Sequence, residues 1–148
     1  MPTLDDVVAL ARTDSFLAMV STLRSDATIQ TSLVNAGVMA HPISGEDTVA
    51  FVTYGPAKLG NLRRRPVVNV SFRSGWRWIA VEGRAEIIGL DDPHPDVDAE
   101  RLRLLLREIF VAAGGSHSDW DEYDRVMARE RRAAVFVRPT RIYSNAER

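Results

Sequence analysis

Thr53-Tyr54-Gly55-Pro56-Ala57-Lys58-Leu59-Gly60-Asn61-Leu62-Arg63-Arg64-Arg65-Pro66 carries four cations and no acid, and lies between two apolar runs, Thr48 to Tyr54 and Val67 to Phe72, that read as β-strands. The first strand delivers the chain to a Gly-Pro turn, and Pro56 pre-sets the first turn of a short helix. Unpaired N–H groups at such a helix start attract an anion, and Lys58 falls in that first turn. The stretch reads as a phosphate cradle. A structural account competes with it, in which Arg63, Arg64 and Arg65 form the solvated face of a connecting helix, at whose C-terminal end cations are favourable.

Outward from this stretch the chain is rich in short strands. Phe16 to Leu23 and Thr28 to Met39 are apolar and β-branched, and Arg24-Ser25-Asp26-Ala27 between them predicts a hairpin. Beyond Val67 to Phe72, a turn at Ser74-Gly75 precedes a long strand from Trp76 to Ile88, in which Gly83 marks a bulge or a close backbone approach. A last strand covers Ala133 to Val137 and Thr140 to Tyr143, with Pro139 predicting an edge or a bend. Thr3 and Asp6 form a capping-box pattern ahead of Leu4, Val7, Val8 and Ala11, which predicts a first helix. Leu102, Leu105, Leu106, Ile109 and Phe110 form the apolar stripe of another, ended by Gly114-Gly115, and a short helix is expected from Asp119 to Arg129. Six strands, against three short helices outside the basic stretch, must close or cover their edges. The fold class is therefore α+β and mainly β, a six-stranded antiparallel barrel with peripheral helices.

A length of 148 residues, 45% hydrophobic and 26% charged, predicts one globular domain over residues 1–148. The formal net charge of -1 argues against general attraction to nucleic acid. Without cysteine there are no disulfides, thiolate nucleophiles or Cys-ligated metals. A cytoplasmic location is expected, since the N-terminal residues lack a basic region followed by an apolar one and no run approaches a membrane span.

Gly115-Ser116-His117-Ser118-Asp119 sets Ser, His and Asp side by side, but a catalytic triad needs members that converge from separate segments. Ser118 or Asp119 is instead expected to cap the helix that follows, with Trp120 packed beneath it. Asp92, His94, Asp96 and Asp98 alternate like a calcium loop, yet the turn glycine and the bidentate glutamate are missing, so a solvated acidic loop is expected and no metal site is assigned. His41, His94 and His117 lack zinc-ligand spacing and read as surface or capping histidines. Trp76 and Trp78 are expected on one face of a strand, either as core or as a surface for a planar ligand. Gln30, Thr31, Ser32 and Asn35 either face solvent or bond a ligand's polar edge.

Several blocks together resemble the flavin and deazaflavin oxidoreductases of split β-barrel fold related to pyridoxine 5'-phosphate oxidase. They are Gln30-Thr31-Ser32-Leu33-Val34, Phe51-Val52-Thr53-Tyr54 through Ala57-Lys58-Leu59-Gly60-Asn61-Leu62, Arg65-Pro66-Val67-Val68-Asn69-Val70, Val81-Glu82-Gly83-Arg84-Ala85 and His117-Ser118-Asp119-Trp120-Asp121-Glu122-Tyr123. The last block, with Arg131-Arg132, is most similar to the mycobacterial and actinobacterial branch that uses coenzyme F-420. The resemblance implies a homodimer with the cofactor at its interface and the cofactor phosphate on Lys58. It also implies further phosphate or tail contacts from Thr53 and Asn61, Gln30, Thr31 and Ser32 along the ring system, and Trp76 and Trp78 near the substrate. FMN-using relatives often carry an arginine where this chain has Ala57, which points away from FMN, and vitamin B6 oxidation is not expected from the C-terminal sequence. The function so implied is hydride transfer from reduced F-420 to a small unsaturated acceptor such as a quinone, enone or tetrapyrrole, with Tyr143 a candidate proton donor. The alternatives are FMN as cofactor, or a protein that binds flavin, deazaflavin or haem without turnover.

Overall fold

The computed structural model describes residues 1–146. Six antiparallel strands close into a barrel: β1 Leu17–Leu23, β2 Ile29–Ala40, β3 Asp47–Thr53, β4 Val67–Ser74, β5 Arg77–Ile88 and β6 Ala133–Ser144. Their cyclic order is β1-β2-β3-β6-β5-β4. Alternation along each strand turns Val20, Val49, Phe51, Val70, Val81 and Val135 into the interior, where each has no exposed surface. Burial of such side chains stabilises the fold by about 1.5–3 kcal/mol each.

Four helices surround the barrel: α1 Leu4–Arg12, α2 Pro56–Arg64, α3 Ala99–Ala112 and α4 Trp120–Arg129. The Thr3–Asp6 capping box starts α1, whose Val7 and Ala11 join the barrel core. The stripe Leu102, Leu105, Leu106 and Ile109 lays α3 on Ala50, Ala134 and Phe136, which point outward from β3 and β6. At the far end of α3 the backbone comes very close to β2. A Cβ on Gly37 would stand 2.4 Å from the carbonyl oxygen of Ala112, so only glycine permits this seat. Asp124 of α4 receives Arg103 Nη1 at 2.8 Å and Arg107 Nε at 2.9 Å, which ties the two helices together.

Pro139 falls at a sheet edge, as expected, though it does not break the strand, and Trp76 departs from expectation. β6 runs unbroken through Pro139, because β6 pairs with β3 only from Ala133 to Val137 and beyond that has β5 alone as neighbour. The missing N–H of Pro139 therefore falls where no second ladder needs it. Opposite it, the register shifts between Glu82 and Gly83, and a Cβ on Gly83 would meet the Arg138 oxygen at 2.2 Å. Trp76 is not in a strand. Ser74 pairs with Arg77, which leaves Gly75 and Trp76 as a two-residue hairpin turn, with Gly75 at φ 60° and the Trp76 indole 95% exposed. The two indoles consequently do not share a strand face.

Candidate functional site

The chain leaves β3 at Thr53, turns at Gly55 and enters α2 with Pro56 in its first turn, and Gly55 offers no side chain to cap the helix. Lys58 follows within that first turn and folds back toward β3. Its side chain is buried, only 6% of the residue remaining exposed, and Nζ donates to Thr53 Oγ1 at 3.1 Å and stands 5.9 Å over the Phe51 ring. Among the described residues no carboxylate pairs with it. Burial pushes its pKa below the ordinary lysine value, because the charged form has lost water and gained no anion. A buried cation without a counter-charge is costly, and an incoming anion relieves that cost.

Thr53 and Lys58 open into a cleft of about 640 Å³ between the outer side of β2 and β3 and the α3–α4 pair. Leu33 and Asn35 of β2 line one side, and Phe110, His117, Tyr123 and Met127 the other. The second wall is aromatic. Phe110, His117, Trp120 and Tyr123 pack edge-on or tilted with ring centroids 5.1 to 6.5 Å apart. Tyr123 Oη donates to the Leu106 carbonyl at 2.9 Å, and burial pushes its pKa up to about 12, so it serves as a structural post rather than an acid. Arg132 supplies a second cation at the cleft: its guanidinium lies 4.1 Å from the Tyr54 ring centre, one nitrogen reaches Glu130 at 3.1 Å, and its buried Nε has no partner among the described residues. Among the described residues no three His, Asp or Glu side chains form a metal-holding group.

The other residues named from sequence are placed elsewhere. Asn61 Nδ2 donates to Thr22 Oγ1, and Thr22 donates to Gln30 Oε1, each at 3.1 Å; this chain of bonds pins α2 to β1 and β2, and neither Asn61 nor Gln30 lines the cleft. Thr31 bonds Ser21 across β1 and β2 at 3.1 Å. Ser32, opposite the fully buried Val20, holds an Oγ with no partner. Ala57 is exposed on the first turn of α2. Trp78 packs edge-on against Tyr143 at 5.9 Å, and the Tyr143 hydroxyl accepts from Asn69 at 3.0 Å and donates to Glu82 at 3.1 Å. These residues form a separate polar group on β4, β5 and β6. Two of the three arginines of the basic stretch make structural contacts: Arg63 clasps Asp92 through two bonds of 2.8 and 2.7 Å, and Arg65 reaches the Leu23 carbonyl at 3.0 Å, while Arg64 is exposed. Asp92 is thereby taken out of the acidic loop, and Asp119 caps α4 by accepting from Glu122 N–H at 3.1 Å.

Sequence reasoning did not assign His117, Tyr54 or Arg132 to the cleft. Nothing in the order of residues says that the α3–α4 link folds back opposite Lys58. The available signal was the aromatic density from Phe110 to Tyr123.

No protein-family model matches the chain. Solved structures do. A conserved hypothetical protein, Rv2991 from Mycobacterium tuberculosis, superposes with a TM-score of 0.67 at 19% identity, over 97% of this chain and 84% of its own. An F420 reductase follows with a TM-score of 0.59 at 20% identity, over 91% and 94%. A pyridoxamine 5'-phosphate oxidase-related, FMN binding protein from Nostoc punctiforme has a TM-score of 0.65 at 12% identity, over 97% and 84%. The fold is shared with these proteins. The residues present fit an anionic small molecule: a buried cation with no anion among the described residues, and an aromatic cleft of a size suited to such a ligand.

Proposed function

We propose that the protein is an oxidoreductase that binds coenzyme F-420 in the Lys58 cleft and passes a hydride from the reduced cofactor to a small unsaturated acceptor of the quinone, enone or tetrapyrrole class. The observation that carries this reading is Lys58, a buried ammonium whose one hydrogen bond goes to a neutral hydroxyl. Its missing partner is the ligand's phosphate. The exposed Ala57 leaves the first turn of α2 with one cation, which supports a deazaflavin over FMN. FMN is the second reading, supported by the likeness to the FMN binding protein of Nostoc punctiforme.

The reduced deazaflavin, when bound, supplies the hydride. The chain's residues bind, orient and exclude water. Lys58 with Thr53 holds the anionic end, while Phe110 and Met127 offer apolar surface against the remainder. Tyr143, the candidate proton donor, does not line this cleft: its hydroxyl bonds Asn69 and Glu82, and burial first and the bond to Glu82 second raise its pKa, so no proton step in the cleft is assigned to it. The reading also takes residues 1–148 as one cofactor domain in a cytoplasmic homodimer. The outer face of β1, β2 and β4 exposes Met19, Ile29, Leu33 and Val67 at 42 to 63%, and a second copy seated there would cover them. Leu33 belongs both to that face and to the cleft, so the cofactor would sit at the seam.

Parallel titrations with F-420 and with FMN, followed by quenching of tryptophan fluorescence, test the assignment; tight FMN binding with no deazaflavin response overturns the cofactor choice. Steady-state oxidation of reduced F-420 by quinones, enones and tetrapyrroles separates an enzyme from a carrier.

A further inference from the structure

His117 sits in the short link between α3 and α4 and lines the cleft. Its Nδ1 accepts the Asp119 N–H at 3.0 Å. A neutral imidazole has one accepting and one donating nitrogen, so this bond puts the proton on Nε2. The ring cannot easily turn over. Tyr123 at 5.8 Å, Trp120 at 6.0 Å and Phe110 at 6.5 Å surround it, and a flip would leave the Asp119 amide without its acceptor. The other two histidines use the same local bond: His94 Nδ1 accepts from Asp96 N–H at 3.0 Å, and His41 Nδ1 from Ile43 and Ser44 at 3.1 and 3.2 Å. In His41 the opposite nitrogen is then engaged by Glu86 at 2.6 Å. For His117 no residue among those described takes up Nε2.

We propose that His117 is a specificity-determining residue of the cleft, a neutral imidazole that presents Nε2–H to an acceptor oxygen of the ligand. With Lys58 on the barrel side and His117 on the helical side, the cleft selects a molecule that offers an anion to Lys58 and an acceptor oxygen to His117. The same geometry argues against haem or metal ligation by this residue. An imidazole that ligates a metal through Nε2 carries its proton on Nδ1 and donates it to a carbonyl or carboxylate. Here the backbone presents a donor to Nδ1, which imposes the opposite polarity. The inference rests on the proposed ligand-binding role of the Lys58 cleft.

The test compares binding of F-420 and of FMN to wild type, His117→Asn, His117→Gln and Lys58→Met by calorimetric titration, with thermal unfolding as a check on folding. Asparagine keeps an acceptor for the Asp119 amide but carries no donor as far out as Nε2, whereas glutamine extends an amide donor toward that position. Loss of one neutral hydrogen bond should weaken the tighter ligand about 3- to 10-fold in His117→Asn, with recovery in His117→Gln. Wild-type affinity in His117→Asn, or equal losses in both variants, overturns the inference. If Lys58→Met also binds normally, the cleft itself is the wrong site; if Lys58→Met alone fails, only the role of His117 falls. Long-range proton–nitrogen correlation spectra of the wild-type imidazoles give a readout independent of any variant: a protonated Nε2 on His117 supports the assignment and a protonated Nδ1 sinks it. Titration with ferric haem is expected to give a Soret band that is unchanged in His117→Asn, and a band that depends on His117 overturns the polarity argument.

Discussion

Lys58 Nζ and Thr53 Oγ1 stand 3.1 Å apart in the wall of the cleft, a charged donor that among the described residues is given a neutral acceptor and no carboxylate. Binding and folding therefore place opposite demands on this lysine. Lys58→Met, which keeps most of the side chain's length and removes the charge, should weaken the ligand by about 1.5–3 kcal/mol, the range for a charge-assisted hydrogen bond. The ligand-free variant should be at least as stable as wild type, with a melting temperature higher by about 3 °C for each kcal/mol relieved. Paired titration and thermal melts check both halves, and a destabilised variant would contradict the account of the unpaired charge.

Alkaline pH should release the ligand. Burial lowers the Lys58 pKa in the free protein, and an anion binds only the charged amine, so affinity is constant below that pKa and declines as pH rises through it. The sign for folding is the reverse. Because the unfolded chain binds the lysine proton more tightly, the stability of the free protein gains a favourable contribution as pH rises from the folded toward the unfolded value. Affinity against pH in wild type and Lys58→Met isolates the effect, since the variant loses this inflection.

Asp124→Asn should loosen the wall of the cleft. Hydrogen bonds from Arg107 first and Arg103 next hold this carboxyl below its ordinary pKa. A depressed carboxyl stabilises the fold above its unfolded pKa, and the contribution disappears as pH falls through the folded one. The variant should melt lower than wild type at pH 7, and the two should converge in strong acid.

Leu33→Lys, at a position 59% exposed, should leave the barrel intact and disfavour a dimer formed through the β1–β2–β4 face. Light scattering reads the oligomeric state. A variant that assembles as wild type does would remove this face from the proposed interface.

Gly83→Ala should be among the most damaging single substitutions, costing about 1–3 kcal/mol or more, since its methyl group would press on the Arg138 oxygen. Denaturant unfolding measures it. A near-neutral result would mean that the two strands separate there with little resistance.

Local signals in the chain were read well because the physics behind them is local. The Thr3–Asp6 box, the Asp119 cap and the Gly83 irregularity each depend on a few adjacent atoms, and all three are present. The number and direction of the strands followed from alternation and turns. A barrel was expected, but that β6 closes it by pairing with both β3 and β5 was not readable, because those pairings join residues up to about ninety positions apart and no short pattern encodes them. Trp76 was misplaced for a related reason. A tryptophan before a strand looks like its first residue until the partner register shows that Ser74 already faces Arg77. Asn61 and Gln30 fall near Lys58 in sequence or by resemblance, whereas their side chains meet Thr22 and do not line the cleft.

The lone ammonium under Thr53 also links the protein's lifetime to its ligand. A native state that carries an unrelieved charge opens more often, and the opened chain is what proteases and aggregation consume. Ligand bound at a hundred times its dissociation constant adds about 2.7 kcal/mol to the folded form. If the proposed ligand fills the Lys58 cleft, cells short of it should hold less of this protein at unchanged synthesis.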